Sequence, residues 1–181
     1  MPILVSWMIV LSGFTLLNLL FTLGVIRRLR EHTKLLSRSS GAGEAGVMTA
    51  AGERVSDFSA ATADGTAVSR ASFATPTLVG FISPQCPACV DRLPRFVALA
   101  GRMPARKAQV MAVVVGGDEA DIARLRGELD PVATVLTDVD RGDLVQAFGV
   151  TGFPAFAVVD ADGLVLSSGY DLDQIAVPVP S

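Results

Sequence analysis

The amino-acid sequence predicts an α/β domain with a mixed central sheet, carried behind one membrane-spanning helix. Three observations predict this. Short apolar runs alternate with amphipathic stretches between residues 77 and 149, the pattern of parallel strands joined by helices. The last two apolar runs flank Asp162-Gly163, the signature of an antiparallel hairpin. Residues 3–26 carry no charged side chain.

That uncharged run forms a helix of about 36 Å, enough to cross a hydrocarbon core of about 30 Å with some tilt. Trp7 can anchor it at the interface. A cleaved signal peptide would begin with basic residues and have a shorter apolar core. Here Met1-Pro2 open the run and Arg27-Arg28 follow it directly, so residues 1–28 read as an uncleaved anchor. Residues 29–53 read as a basic juxtamembrane stretch and a linker. Within residues 27–38, Arg27, Arg28, Arg30, Lys34 and Arg38 face only Glu31, and small residues dominate from Ser37 onward. Such a tether reaches roughly 20–25 Å as a random coil.

Residues 54–181 read as the globular domain. Asp64-Gly65 lies between two short strands in residues 55–69, an N-terminal hairpin extension. Residues 77–82 suit a buried strand. From Pro87 to about Met103 a helix is expected, with Val90, Leu93, Val97 and Ala100 on its apolar face. A second apolar strand covers residues 110–115. Asp118 can cap a helix that runs to Leu129 and buries Ile122, Leu125 and Leu129. A strand is expected at residues 132–136, then a short helix capped by Asp143 and ended by Gly149. Residues 155–159 and 164–168 form the closing hairpin.

Charge and cysteine usage narrow the function. Residues 53–181 carry 10 basic and 16 acidic side chains, a net charge of −6. Nucleic-acid binding needs a basic surface that displaces counterions, so no nucleic-acid partner is expected. The two cysteines form a single C-x-x-C. A stapled scaffold needs more cysteines. A zinc site needs two further ligands, and the only histidine, His32, lies beside the membrane segment. About 130 residues can bury a core without staples. The pair is free for chemistry, and no metal or cofactor is expected.

The segment Phe81-Ile82-Ser83-Pro84-Gln85-Cys86-Pro87-Ala88-Cys89 places Cys86 where a strand ends and a helix begins. Pro87 suits the first helical position, where an N–H would be unpaired anyway. Cys86 then lies at the cap, where the free N–H groups of Ala88 and Cys89 and the helix dipole favour an anionic sulfur. Cys86 is therefore the expected nucleophile. Cys89, one turn in and more buried, is the expected resolving thiol of a Cys86–Cys89 redox disulfide. Other chemistries fit less well. A peroxiredoxin-like peroxidase would place a proline where Val79 stands. A copper chaperone would want a histidine in the domain. Asp138, Asp140 and Asp143 lack the bidentate Glu of a calcium loop, and turn and cap roles suit them better. Gly116-Gly117 lacks a phosphate-loop Lys. A non-catalytic binding or assembly module at the membrane is the alternative class.

Val150-Thr151-Gly152-Phe153-Pro154-Ala155-Phe156 supplies a second motif ahead of the closing hairpin. With it, residues 55–169 resemble the thioredoxin superfamily. The nearer resemblance is to membrane-tethered proteins of the TlpA/ResA type. The run Phe81 to Cys89, with Leu93-Pro94 after it, is closest in motif to MauD-like methylamine dehydrogenase accessory proteins. The resemblance implies a thioredoxin fold and thiol–disulfide exchange with protein clients and a redox partner protein. It implies that Pro154 is cis, faces the cysteine pair and, with Phe153, Gln85 and Pro87, touches substrate. It also implies an extracytoplasmic domain, whereas five basic residues just after the helix favour a cytoplasmic one. Pro94 is expected to kink the active-site helix. Three departures stand out. Gln85 replaces a common tryptophan. Gly80 occupies the position of a buried Asp that accepts the resolving thiol's proton. Residues 171–181 are too short for the usual closing helix, which would leave a sheet face open or covered by a partner.

Overall fold

A computed structural model describes residues 7–8, 11–16, 46–73 and 75–176. Residues 7–8 and 11–16 are helical and belong to a unit separate from residues 46–181. Among the described residues no helix is long and apolar enough to cross a membrane. Most of the span expected at residues 3–26, and the basic stretch and tether up to residue 45, lie outside the described residues.

The domain contains two sheets. The hairpin β1 (Ser59–Ala61) and β2 (Ala67–Ser69) stands alone as a two-stranded sheet. The main sheet holds β3 (Thr77–Ile82), β4 (Val110–Val115), β5 (Thr134–Asp138), β6 (Ala155–Val159) and β7 (Val165–Gly169) in the order β5-β4-β3-β6-β7. β3, β4 and β5 are parallel, and β6 and β7 return antiparallel. The helices are α1 (Pro87–Ala100), α2 (Glu119–Leu129) and α3 (Asp143–Ala147). This is the mixed sheet that the alternation of patterns predicted.

Side-chain alternation along the strands splits the core into two layers. Leu78, Ile82, Val110, Ala112, Val114, Phe156 and Val158 face α1 and α2, where Cys89, Leu93, Phe96, Leu125 and Leu129 meet them. Val79, Phe81, Met111, Val113, Ala155 and Ala157 face the other way, against α3 and the N-terminal segment. On that side Phe58, Phe148 and Phe81 form a chain of tilted rings, with centroids 5.6 and 5.1 Å apart. Both faces are thus dry, which is why β3, β4 and β6 read as continuous apolar runs.

Several expectations shift. The buried face of α1 is Cys89, Leu93, Phe96 and Ala100. Val90 is exposed and Val97 only half-buried, because Cys89 sets the helical phase. α1 ends at Ala100, not near Met103, although Met103 remains buried. β5 starts two residues later than expected, because the Val132 and Ala133 N–H groups are spent on the Leu129 carbonyl at the end of α2. Asp118 caps α2 as expected, accepting from the Asp121 N–H at 2.8 Å. The cap of α3 is Gly142 rather than Asp143, and the Asp138 carboxylate accepts from the Leu144 and Val145 N–H groups at 3.0 Å. Residues 46–53, expected as the end of the tether, belong to the domain. Met48 is buried, and the Gly52 N–H donates to Val165 O at 2.8 Å. The sheet face expected to lie open is covered in part by the chain itself. A 3-10 turn, Leu172–Gln174, puts Leu172 and Ile175 into the α1 layer.

Candidate active site

The parallel strands β3, β4 and β5 all end at one edge of the sheet, and the loop after β3 carries the cysteines. Gly116-Gly117, just after β4, makes room for that loop. Both residues have positive φ, 71° and 92°, and a Cβ on Gly117 would lie 2.5 Å from Pro84 Cγ. Gly117 is therefore a seat for the active-site turn.

Cys86 is the N-cap of α1 in extended conformation (φ −98°, ψ 111°), and Pro87 opens the helix. Its thiol is half-buried and makes no cap bond. Instead Cys86 Sγ donates to the Phe153 carbonyl at 3.4 Å. The Cys89 N–H, expected to be free, donates to Cys86 O at 3.0 Å. The Ala88 N–H remains at the helix start. Cys89 is 1 % exposed, and its sulfur accepts from the Ser83 N–H at 3.5 Å. Burial pushes the Cys89 thiol up to about 12, aided by the neighbouring Cys86 thiol. The Ser83 N–H and the more distant Arg92 charge pull the other way and lose.

No carboxylate is among the groups acting on Cys89. The reason lies at Gly80. A Cβ there would sit 2.7 Å from Phe96 Cε2 and 3.3 Å from Phe156 Cδ1. The two rings stack at 5.6 Å and fill the space an acidic side chain would need. Phe96 is a residue that sequence reasoning missed. Its 3.6-residue spacing from Cys89 and Leu93 was the available signal.

The Phe153–Pro154 peptide is cis, as the resemblance implied, and Pro154 is buried beside the start of β6. Phe153 packs against both core layers. Gln85 and Pro87 are exposed around Cys86. Pro94 lies inside α1. Arg92 holds the far side of the site. Its guanidinium reaches Ala88 O at 3.4 Å, the Asp171 carboxylate at 3.6 Å and the Tyr170 ring at 5.9 Å. Among the described residues no cluster of His, Cys, Asp and Glu could hold a metal ion.

This arrangement is similar to that of known proteins. A secreted disulfide oxidoreductase of Mycobacterium tuberculosis, homologous to DsbE of E. coli, is 24% identical with a TM-score of 0.53, over 66% of this chain and 87% of that one. MTB dsbF is 31% identical with a TM-score of 0.50, over 60% and 80%. The exposed lipoprotein thioredoxin Etrx1 of Streptococcus pneumoniae is 23% identical with a TM-score of 0.51, over 66% and 94%. No curated protein matches the chain. The Redoxin family matches residues 50–175, which contain the whole sheet and both cysteines. The chain belongs to the Redoxin family, and it is a thioredoxin-like oxidoreductase.

Proposed function

We propose that the protein is a membrane-tethered thiol–disulfide oxidoreductase of the TlpA/ResA type, closest to MauD-like accessory proteins, which exchanges its Cys86–Cys89 pair with protein disulfides. One observation carries this reading. A half-buried sulfur at a helix cap faces a backbone carbonyl, and a second sulfur lies buried three residues on. The Cys86 thiolate attacks a client disulfide, forms the Cys86–client bond and releases one client thiolate, which takes up a proton. Cys89 then loses its proton and attacks the Cys86 sulfur. The mixed bond breaks, the second client thiol leaves, and two electrons have passed from the pair to the client. The same steps in reverse oxidise a client.

A protein client suits the surroundings. Within residues 46–176 the exposed large apolar side chains are Val90, Val139, Leu166 and Tyr170. Val90 lies in the first turns of α1 beside Cys86, whereas Val139 and Tyr170 follow the two outermost strands, β5 and β7. Gln85, Pro87, Phe153 and Pro154 are the residues such a client would meet first. For the anchor, the support is the uncharged run at residues 3–26 and the exposed helical Trp7, Met8, Leu11, Phe14 and Leu16. The secreted and exposed relatives favour an extracytoplasmic domain. A C-terminal reporter active on one side of the membrane tests the orientation.

Cys89→Ser tests the mechanism. The mixed disulfide then has no intramolecular exit, so reducible adducts accumulate in Cys89→Ser and are missing in Cys86→Ser. A non-catalytic binding module would give equal, thiol-independent partner recovery in both variants.

A further inference from the structure

We infer that residues Val47–Thr49, at the end of the expected tether, form a strap that positions the Phe153 carbonyl over Cys86. The loop between α3 and β6 carries Phe153 and Pro154. Its first half is tied to α3: Gly149 N–H donates to Gln146 O at 3.0 Å and Val150 N–H to Val145 O at 2.9 Å. Its second half, residues 151–153, makes one backbone hydrogen bond to another segment among the described residues. That bond runs from the Thr151 N–H to Val47 O, at 2.8 Å.

The strap grips the first half too. Thr49 donates twice to Phe148 O, from its N–H at 2.9 Å and from Oγ1 at 2.7 Å. Gly149 has φ +59°, and a Cβ there would lie 3.0 Å from Thr49 Oγ1, so the strap lies directly against the loop backbone. A Cβ on Gly152 would meet Val47 Cγ1 at 3.8 Å. Between these two residues Met48 is 4 % exposed, in the core layer that holds Phe148 and Ala155. Past Thr49 the chain is fixed to the sheet by the Gly52 N–H to Val165 O and the Val165 N–H to Glu53 O, both 2.8 Å. The strap therefore has a buried foot and a sheet anchor, and it contacts the loop on both sides of Val150. Among the described residues, residues 151–153 have no other backbone partner to hold them at the distance that brings Phe153 O to 3.4 Å from Cys86 Sγ.

The inference rests on the redox reading for its effect on turnover, and on geometry alone for its effect on the loop. Thr49 is a positioning residue; it touches neither sulfur nor client. Thr49→Val removes the hydroxyl bond and keeps the shape, and Thr49→Ser restores the bond. The test uses the full chain and three measurements. Amide exchange at Thr151, whose N–H is bonded to Val47 O, should quicken about five-fold in Thr49→Val, while β6 amides stay unchanged and Thr49→Ser behaves as the wild type. KM for reduction of insulin disulfides should rise by a similar factor with kcat nearly constant, because the loop is displaced and the thiols are not. Alkylation of Cys86 by iodoacetamide should stay within about two-fold of the wild type. Unchanged exchange at Thr151 overturns the strap, whatever turnover shows. A parallel rise in exchange throughout β6 also overturns it, since Thr49 would then be a stability residue only. If the wild type fails to reduce insulin while the exchange result holds, the redox reading fails and the strap stands.

Discussion

At the scale of single residues, the chemistry turns on what surrounds Cys89. Its thiol stands at about 12, raised from 9.0 chiefly by burial. The attacking species is the thiolate. Decay of a preformed mixed disulfide should therefore quicken about ten-fold per pH unit between pH 6 and 9, with no plateau. A plateau in that window would mean that a nearby base takes the proton. Stability follows the same shift. The folded chain holds this proton more tightly than the unfolded chain, so the contribution is complete below pH 9 and is lost as pH climbs toward about 12. Cys89→Ala should lack that part of the alkaline loss, measurable as urea midpoints against pH. Gly80 gives a second test. Gly80→Ala drives a methyl into the Phe96 ring and should cost about 1–3 kcal/mol, read as a fall in melting temperature. Phe96→Leu in the same chain should recover part of the loss, and strict additivity of the two would show that they do not meet.

At the scale of elements, the motifs that carry chemistry were legible before the fold was known. Cys86 and Cys89 announced a strand–helix junction because Pro87 can only open a helix there, and the Asp162-Gly163 turn announced the returning hairpin. What stayed hidden depended on partners distant in the chain. Thr137 and Asp138 did not look like strand residues, yet they pair with Val114 and Val115. Residues 46–53 looked like linker because most of them are small, yet Phe148 and Val165 supply their hydrogen bonds. Phe96 was hidden because Val90 and Val97 offered an equally good apolar stripe until Cys89 chose the phase. The cap of α3 was hidden because its carboxylate comes from the end of β5. Asp138→Ala removes the acceptor for the Val139, Leu144 and Val145 N–H groups. It should cost about 1–2 kcal/mol in urea unfolding, with faster amide exchange confined to Val139, Leu144 and Val145. An unchanged midpoint would show that α3 needs no cap from β5.

At the scale of the whole molecule, charge and sequence order matter most. Asp91, Glu119, Asp140 and Asp143 are exposed near the Cys86 edge and form no ion pair among the described residues, whereas Arg92 is committed to Asp171. Clients with basic residues around their cysteine should therefore react faster than acidic ones, by about ten-fold at low ionic strength. The gap should close in about 0.5 M salt, where charges are screened beyond a few ångströms; a gap that survives salt would assign the preference to shape. The strap has a consequence of another kind, in the order in which the chain is made. Thr49 waits for Phe148, 99 residues later, and Arg54 for Asp162, 108 residues later. At roughly 5–20 residues per second, that is about 5–20 s during which the first residues of the domain have left the ribosome and their partners do not exist. The domain cannot close progressively from its N-terminus. It closes once, after its last hairpin has been synthesised, and until then β3 and β4 depend on whatever shields a nascent chain.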